Sequence, residues 1–127
     1  MPNPPTNEIS ELIVDAYECS ADLSHISEIE TVARAAVQSV GAQVVETAHH
    51  RFQPHGLTLC LILKESHLIV STWPEHQLAI INIFLCNPTM DARKCWAVIE
   101  QVLNPSHCVF HTVKHKVLPV KKPRIVA

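Results

Sequence analysis

LTLCLILKESHLIVSTWPEHQLAIINIFLC, residues 57–86, decides how this chain folds. Residues 57–63 are a leucine-rich apolar run, 67–72 a second strand-forming run, and 78–86 a third that contains Asn82. Apolar runs of this length, bounded by turn residues, read as strands. Trp73-Pro74 ends the second of them, because proline offers no N–H to a ladder. Between the first two runs, Glu65, Ser66 and His67 place a carboxylate, a hydroxyl and an imidazole where strand formers dominate. Ser66 is therefore either a polar residue tolerated in a strand or a residue with chemistry of its own.

Working outward, "LIVDAY" (12–17) reads as a strand. Ser24 or Ser27 can then cap a helix, and Ser27 with Glu30 fits a reciprocal capping box. Ile26, Ile29, Val32, Ala33, Ala36, Val37 and Val40 recur at helical spacing, and Gly41 is a natural stop. Residues 43–51 predict a strand, and "FQPHG" turns the chain into 57–63. After 78–86, "CNPT" precedes a second helix, about 90–103, with Ala92, Cys95, Trp96, Ile99, Val102 and Leu103 on one stripe. A last strand, 108–117, alternates Val109, His111, Val113 and His115. The order is β-α-β-β-β-β-α-β. Two helices, each with a single apolar stripe, can cover one face of a mostly antiparallel sheet, which gives an α+β two-layer sandwich. The other face must be polar, ligand-lined or buried on a second subunit. The apolar content of 57–63 and 78–86 favours the last, so a homodimer is expected. The globular domain is expected over 11–117, with tails at 1–10 and 118–127, where five of the nine prolines fall (Pro2, Pro4, Pro5, Pro119, Pro123).

A chain of 127 residues is most simply one domain. Its 47% apolar and 17% charged content is that of an ordinary globular protein. A net charge of −2 argues against nucleic acid as a partner, since phosphate binding needs a basic surface. The basic cluster Lys121, Lys122 and Arg124 reads as a solvated tail. No apolar stretch approaches the roughly 20 residues of a bilayer helix, and "MPNPPTNE" has no signal-peptide pattern, so no membrane association is expected. Five cysteines without paired short spacings suggest reduced thiols and a cytoplasmic protein.

No GxSxG elbow surrounds Ser66, so hydrolase chemistry of that kind has no support. A Glu-Ser bond offers another reaction. The Ser66 hydroxyl can attack the Glu65 carbonyl and convert the amide to an ester. Removal of the serine α-proton then eliminates the ester, and hydrolysis of the dehydroalanine leaves a pyruvoyl group. The reaction needs backbone strain, a hydroxyl to hold the oxyanion, and a base. Metal binding is the competing chemistry. His107, His111 and His115 share strand parity but would span more than about 20 Å, too far for one ion, so no metal is expected.

"HRFQPHG", "ESHLIVSTWPEH" and "FLCN", in this order and spacing, resemble the prokaryotic S-adenosylmethionine decarboxylase proenzymes, as do "LIVDAYEC" and the helix that follows. The resemblance covers roughly residues 11–115. It implies a two-layer sandwich that dimerises and a proenzyme that cleaves itself between Glu65 and Ser66. Ser66 would become a pyruvoyl cofactor that forms a Schiff base with the substrate amine and accepts the electrons released with carbon dioxide. Cys86 would return a proton to the carbanion, and Thr58 would keep the hydroxyl needed in processing. Cys19, Cys60, Cys95 and Cys108 are assigned to packing.

The chain departs from that pattern in places. Ser71 stands where the family has the histidine that serves as processing base, and serine has no group that titrates near neutral pH. Ile69 replaces a serine, Asn82 an aspartate and Asn87 a glycine, and the Gly-x-His expected around Ser10–Leu12 is missing. His55, after Pro54, is the substitute base with the most plausible position; His67 would face away from Ser66 in a regular strand. The first functional expectation is a pyruvoyl-dependent decarboxylase of S-adenosylmethionine for spermidine synthesis. Glu11, Asp15, Tyr17 and Phe52 are candidate neighbours for the sulfonium. The altered residues also fit a decarboxylase of ornithine or arginine. The loss of the histidine fits a paralogue that never self-cleaves and acts as a binding or regulatory subunit.

Overall fold

The chain runs β1 (Glu8–Tyr17), α1 (Ile26–Ser39), β2 (Val44–Arg51), β3 (Leu57–Leu63), β4 (Ser66–Trp73), β5 (Leu78–Phe84), α2 (Ala92–Leu103) and β6 (His107–Lys116) in a computed structural model that describes residues 8–120. The basic cluster Lys121, Lys122 and Arg124, with Pro2, Pro4, Pro5 and Pro123, lies outside the described residues. The strands form one six-stranded sheet, β2-β3-β4-β5-β1-β6, with every neighbouring pair antiparallel. This is the element order and the α+β architecture read from the sequence.

Alternation along the strands builds the core. Val14 pairs with Ile81, Ile81 with Val70, and Val70 with Leu59, a row of side chains each 0–1% exposed. Residues of the same parity pack in one buried cluster with Ile29, Ala33, Ala36 and Val37 of α1 and Cys95, Trp96, Ile99 and Leu103 of α2. Each large aliphatic side chain buried in this way stabilises the fold by about 1.5–3 kcal/mol. The opposite parity (Ile13, Ile69, Ile80, Asn82, Phe84) is only half-buried, so one face of the sheet is left uncovered. Ile62, Trp73, Val109 and Val113 extend that open face and are exposed.

Several boundaries differ from the sequence reading. β1 starts at Glu8, inside the segment read as tail, because Glu8 pairs with Lys116 and Ile9 with His115. The capping box at Ser27 does not form: His25 is the N-cap, without a side-chain cap, while Glu30 pairs with Arg34 at 2.9 Å. Gly41, at φ +82°, does end α1. Its N–H donates to the Gln38 carbonyl (3.0 Å) and that of Ala42 to Val37 (2.9 Å), a Schellman motif in which a left-handed residue is required. α2 begins at Ala92, after Asp91 accepts from the Arg93 N–H at 2.9 Å. Val102 is 50% exposed, outside the stripe of Cys95, Trp96, Ile99 and Leu103.

Candidate active site

Leu63 pairs with Ser66, which leaves Lys64 and Glu65 as the turn between β3 and β4. The Lys64 N–H donates to the Gln43 carbonyl at 3.1 Å and fixes the turn. Glu65 has φ +68°, the left-handed region that a turn normally gives to glycine or asparagine. A side chain there costs about 1–2 kcal/mol, so the carbonyl next to Ser66 sits on a strained residue. Ser66 is half-buried, and its hydroxyl makes no hydrogen bond to any described residue.

Cys86 lies just past the end of β5, half-buried. The register carries it to this end of the sheet, since His67 pairs with Phe84. Burial pushes the Cys86 thiol up, and the Glu65 carboxylate nearby pushes it further. Glu65, Ser66 and Cys86 therefore meet at one corner, and the thiol keeps its proton at neutral pH. All five cysteines are free thiols; Cys19 and Cys95 are buried, and burial pushes Cys95 up to about 12.

Thr58 and Ser71 are also neighbours, paired across β3 and β4 with their hydroxyl oxygens 3.1 Å apart. They are not neighbours of Ser66. Ser71 is five residues along β4, about 16 Å at the rise of an extended strand. His55 does not meet the expectation of a base beside Ser66 within one chain. It is exposed in the turn before β3, closed by the Phe52 N–H to the Gly56 carbonyl at 2.9 Å. The whole of β3, about 20 Å, separates that turn from Leu63 and Ser66. One chain thus brings Glu65, Ser66 and Cys86 to one end of β4 and Thr58, Ser71 and His55 to the other, with Ser66 on the parity of buried Leu68 and Val70 and Ser71 on the open face.

The open face also carries a polar chain that sequence reasoning did not assemble. His67 Nε2 lies 3.0 Å from Asn82 Oδ1, and Asn82 Nδ2 donates to Glu11 Oε1 at 3.1 Å. The second Glu11 oxygen meets His115 Nε2, so four strands, β4-β5-β1-β6, are linked side chain to side chain. The hydrogen bond from His115, then that from Asn82, hold the Glu11 carboxyl below its usual range, with the charges of His115 and His67 adding to the effect. His111 Nε2 lies 2.8 Å from Asp15 Oδ2 in a parallel pair, and Tyr17 stacks on His107 at 4.8 Å. Of the four residues considered for a sulfonium, only Glu11 falls in the row of His67 and Phe84; Tyr17 pairs with His107 at the far end, and Phe52 follows β2 beside His50. Strand parity could have placed Glu11 and Asn82 on one face. Their contact depends on β5 pairing with β1, which local sequence does not encode.

Known proteins share this sequence pattern and fold. The family profile described as S-adenosylmethionine decarboxylase matches residues 10–116. An S-adenosylmethionine decarboxylase proenzyme of Thermosipho africanus is 31% identical over 105 residues, 82% of this chain and 79% of that protein. One from Caldicellulosiruptor saccharolyticus is 32% identical over 113 residues, 87% of this chain and 91% of that protein. The crystal structure of the adenosylmethionine decarboxylase from Aquifex aeolicus shares the fold, with a TM-score of 0.79, 24% identity, and coverage of 94% of this chain and 99% of that one. The chain belongs to the S-adenosylmethionine decarboxylase family.

Proposed function

We propose that this chain decarboxylates S-adenosylmethionine, using a pyruvoyl group made from its own Ser66 after self-cleavage at Glu65–Ser66. The observation that carries this reading is the corner where a strained Glu65, an unbonded Ser66 hydroxyl and a protonated Cys86 thiol meet. The residues present fit the group. Ser66 is the first residue of β4, so a chain end created there stays anchored by pairing to β3 and β5. A keto group at that end, conjugated with the following amide, supplies a sink for the electron pair left when carbon dioxide departs. Cys86 holds the proton that the product carbon needs, and its raised ionisation keeps that proton in place through neutral pH. Phe84 and the ionised Glu11 line the row beside Ser66, an aromatic face and a negative charge suited to a sulfonium.

A homodimer completes this reading. The open face exposes Ile62, Trp73, Val109 and Val113, which a second copy would cover, and a two-fold axis through it would run β4 of one copy past β4 of the other in the opposite sense. Thr58 and Ser71 of the second copy would then come to the Ser66 end of the first, where the oxyanion needs a hydroxyl. Five free thiols support a reducing, cytoplasmic setting. Among the described residues, no helix is long and apolar enough to cross a membrane.

Intact mass spectrometry of the purified chain tests the proposal. The expected result is two chains, 1–65 and 66–127, with the second blocked by a carbonyl-bearing terminus, and carbon dioxide release from S-adenosylmethionine. A chain that stays whole after long incubation overturns it. Cleavage with turnover of ornithine or arginine, and none of S-adenosylmethionine, would overturn the substrate alone.

A further inference from the structure

We propose that His67 is the base for self-cleavage in this chain, and that Asn82 and Glu11 are positioning residues that hold it ready. The proposal rests on the self-cleavage reading above. That reaction needs a group to take the Ser66 α-proton, and Ser71 has none to offer. His55 stands a strand length away in the same chain, and that of a second copy would reach Ser66 only through the homodimer proposed above. His67 is joined directly to Ser66. In an extended strand the Cα–H bond leans away from its own side chain, so the Ser66 α-proton leans toward the face on which His67 lies.

The hydrogen bonds fix which nitrogen is available. Glu11 is ionised, and a carboxylate only accepts, so the Asn82 NH₂ must face it. The Asn82 oxygen then faces His67 Nε2 and accepts from it, which requires the proton on Nε2. Neutral His67 therefore carries its lone pair on Nδ1, and Nδ1 has no hydrogen-bond partner among the described residues. The ring is braced by Phe84, at a centroid distance of 5.1 Å. Around it, β1 contributes the Glu11 charge, β6 contributes His115 through Glu11, and the adjoining turn carries Lys64 and Glu65. The residues opposite it on β5 and β3, Phe84 and Ile62, carry no charge.

The amide at position 82 is what suits the ring to this task. A carboxylate in direct contact with Nε2 would favour the imidazolium, which has no lone pair to offer. With Asn82 between them, the Glu11 charge lies one side chain further away. It orients the ring through the amide and stabilises the cation that forms when a proton arrives. The step balances without an oxidant or reductant. After the Ser66 oxygen has taken over the Glu65 acyl group, Nδ1 removes the α-proton. The C–H electron pair becomes the Cα=Cβ bond, and the Cβ–O bond breaks, releasing Glu65 as a carboxylate. Water then adds to the dehydroalanine in its imine form, and ammonia leaves.

The test follows cleavage of the full-length chain by intact mass over time, from acid to alkaline pH. The wild-type rate is expected to rise with pH as a single group loses its proton, and then level off. His67→Gly is expected to slow cleavage by at least about 100-fold, with partial recovery when imidazole is added to the buffer. Asn82→Asp is expected to move the rise to higher pH, because a carboxylate against Nε2 favours the imidazolium. Glu11→Gln is expected to lower the plateau by about 10-fold, the scale of a lost second-layer partner. A wild-type chain that never cleaves overturns this proposal and the self-cleavage reading together. Cleavage of His67→Gly at the wild-type rate, or an Asn82→Asp profile that does not move, overturns the role of His67 and leaves the self-cleavage reading standing.

Discussion

The two ends of β4 are built from similar residues to opposite purposes. At the Ser66 end, a carboxylate-bearing residue is held at φ +68°, a hydroxyl has no partner among the described residues and a thiol is pushed up by burial. At the Trp73 end, polar groups are satisfied. The Thr72 hydroxyl accepts from the Leu57 N–H at 3.2 Å and donates to the Leu23 carbonyl at 3.0 Å, tying β3 and the loop before α1 to β4. Gly56 passes so close that a Cβ there would sit 2.7 Å from the Thr72 carbonyl oxygen. Within one chain, one end holds strain and a hydroxyl with no hydrogen bond among the described residues, and the other ties its Thr72 hydroxyl into the architecture. Within one chain, Thr72 of the conspicuous Thr-Trp-Pro-Glu sequence thus belongs to the scaffold, although it lies close to the Glu65-Ser66 pair in the sequence.

Cys86→Ala should break the contrast at the Ser66 end. Cleavage at Glu65–Ser66 should persist, because the thiol takes no part in it, while decarboxylation falls by about 100-fold or more, the scale of a lost proton donor. Turnover measured on chains already shown by mass to be cleaved checks this; normal turnover would remove Cys86 from the site. Thr72→Val should act at the other end and on a different quantity. It deletes both hydrogen bonds and leaves a buried N–H and C=O without partners, a loss of roughly 2–4 kcal/mol. Urea unfolding of the uncleaved Ser66→Ala chain, with and without Thr72→Val, reads that loss free of any effect on processing.

The same contrast explains what could be read from the sequence. The bounds of β3 were legible to the residue, because an unbroken leucine alternation between a glycine and a Lys-Glu turn admits little else. The start of β1 was not: Glu8 and Ser10 carry no apolar signal, and the strand extends there only because β6 lies alongside. Ser66 and Ser71 sit in one motif and read as one site, yet the rise of a strand parts them by about 16 Å. Cys86 stood out through the family resemblance alone, since a cysteine after an apolar strand reads as packing, and its raised thiol comes from burial and then from Glu65 on another turn. The relay from His67 to His115 was illegible, since it crosses strands whose order, β4-β5-β1-β6, is set by the packing of the whole sheet.

Glu65→Gly sharpens the comparison at the proposed cleavage bond itself. Glycine adopts positive φ freely, so the substitution should relieve about 1 kcal/mol of native-state strain and slow cleavage by several-fold. Its larger unfolded-state entropy offsets part of the stability gain, so the rate is the cleaner readout. An unchanged rate would show that the turn's strain does not drive the acyl shift.

The smallest effect expected is the pH dependence of the sheet's far edge. Glu11 is held below its usual range by His115 and Asn82, so its contribution to stability is present above the unfolded-state value near 4.5 and is lost as pH falls through the lower folded-state value. Between those limits the unfolded chain binds a proton that the folded chain does not. Protonation of Glu11 removes its charge from the His115 contact and from the amide that orients His67, so β6 should loosen from β1 before the core opens. Amide exchange of the β1–β6 pair in the Ser66→Ala chain, compared at mildly and strongly acid pH, should show protection falling there first. Glu11→Gln should flatten that change while leaving exchange in β3 and β4 as it was. Equal loss of protection across all the strands would mean that Glu11 supports the whole sheet and that the relay has no local mechanical role.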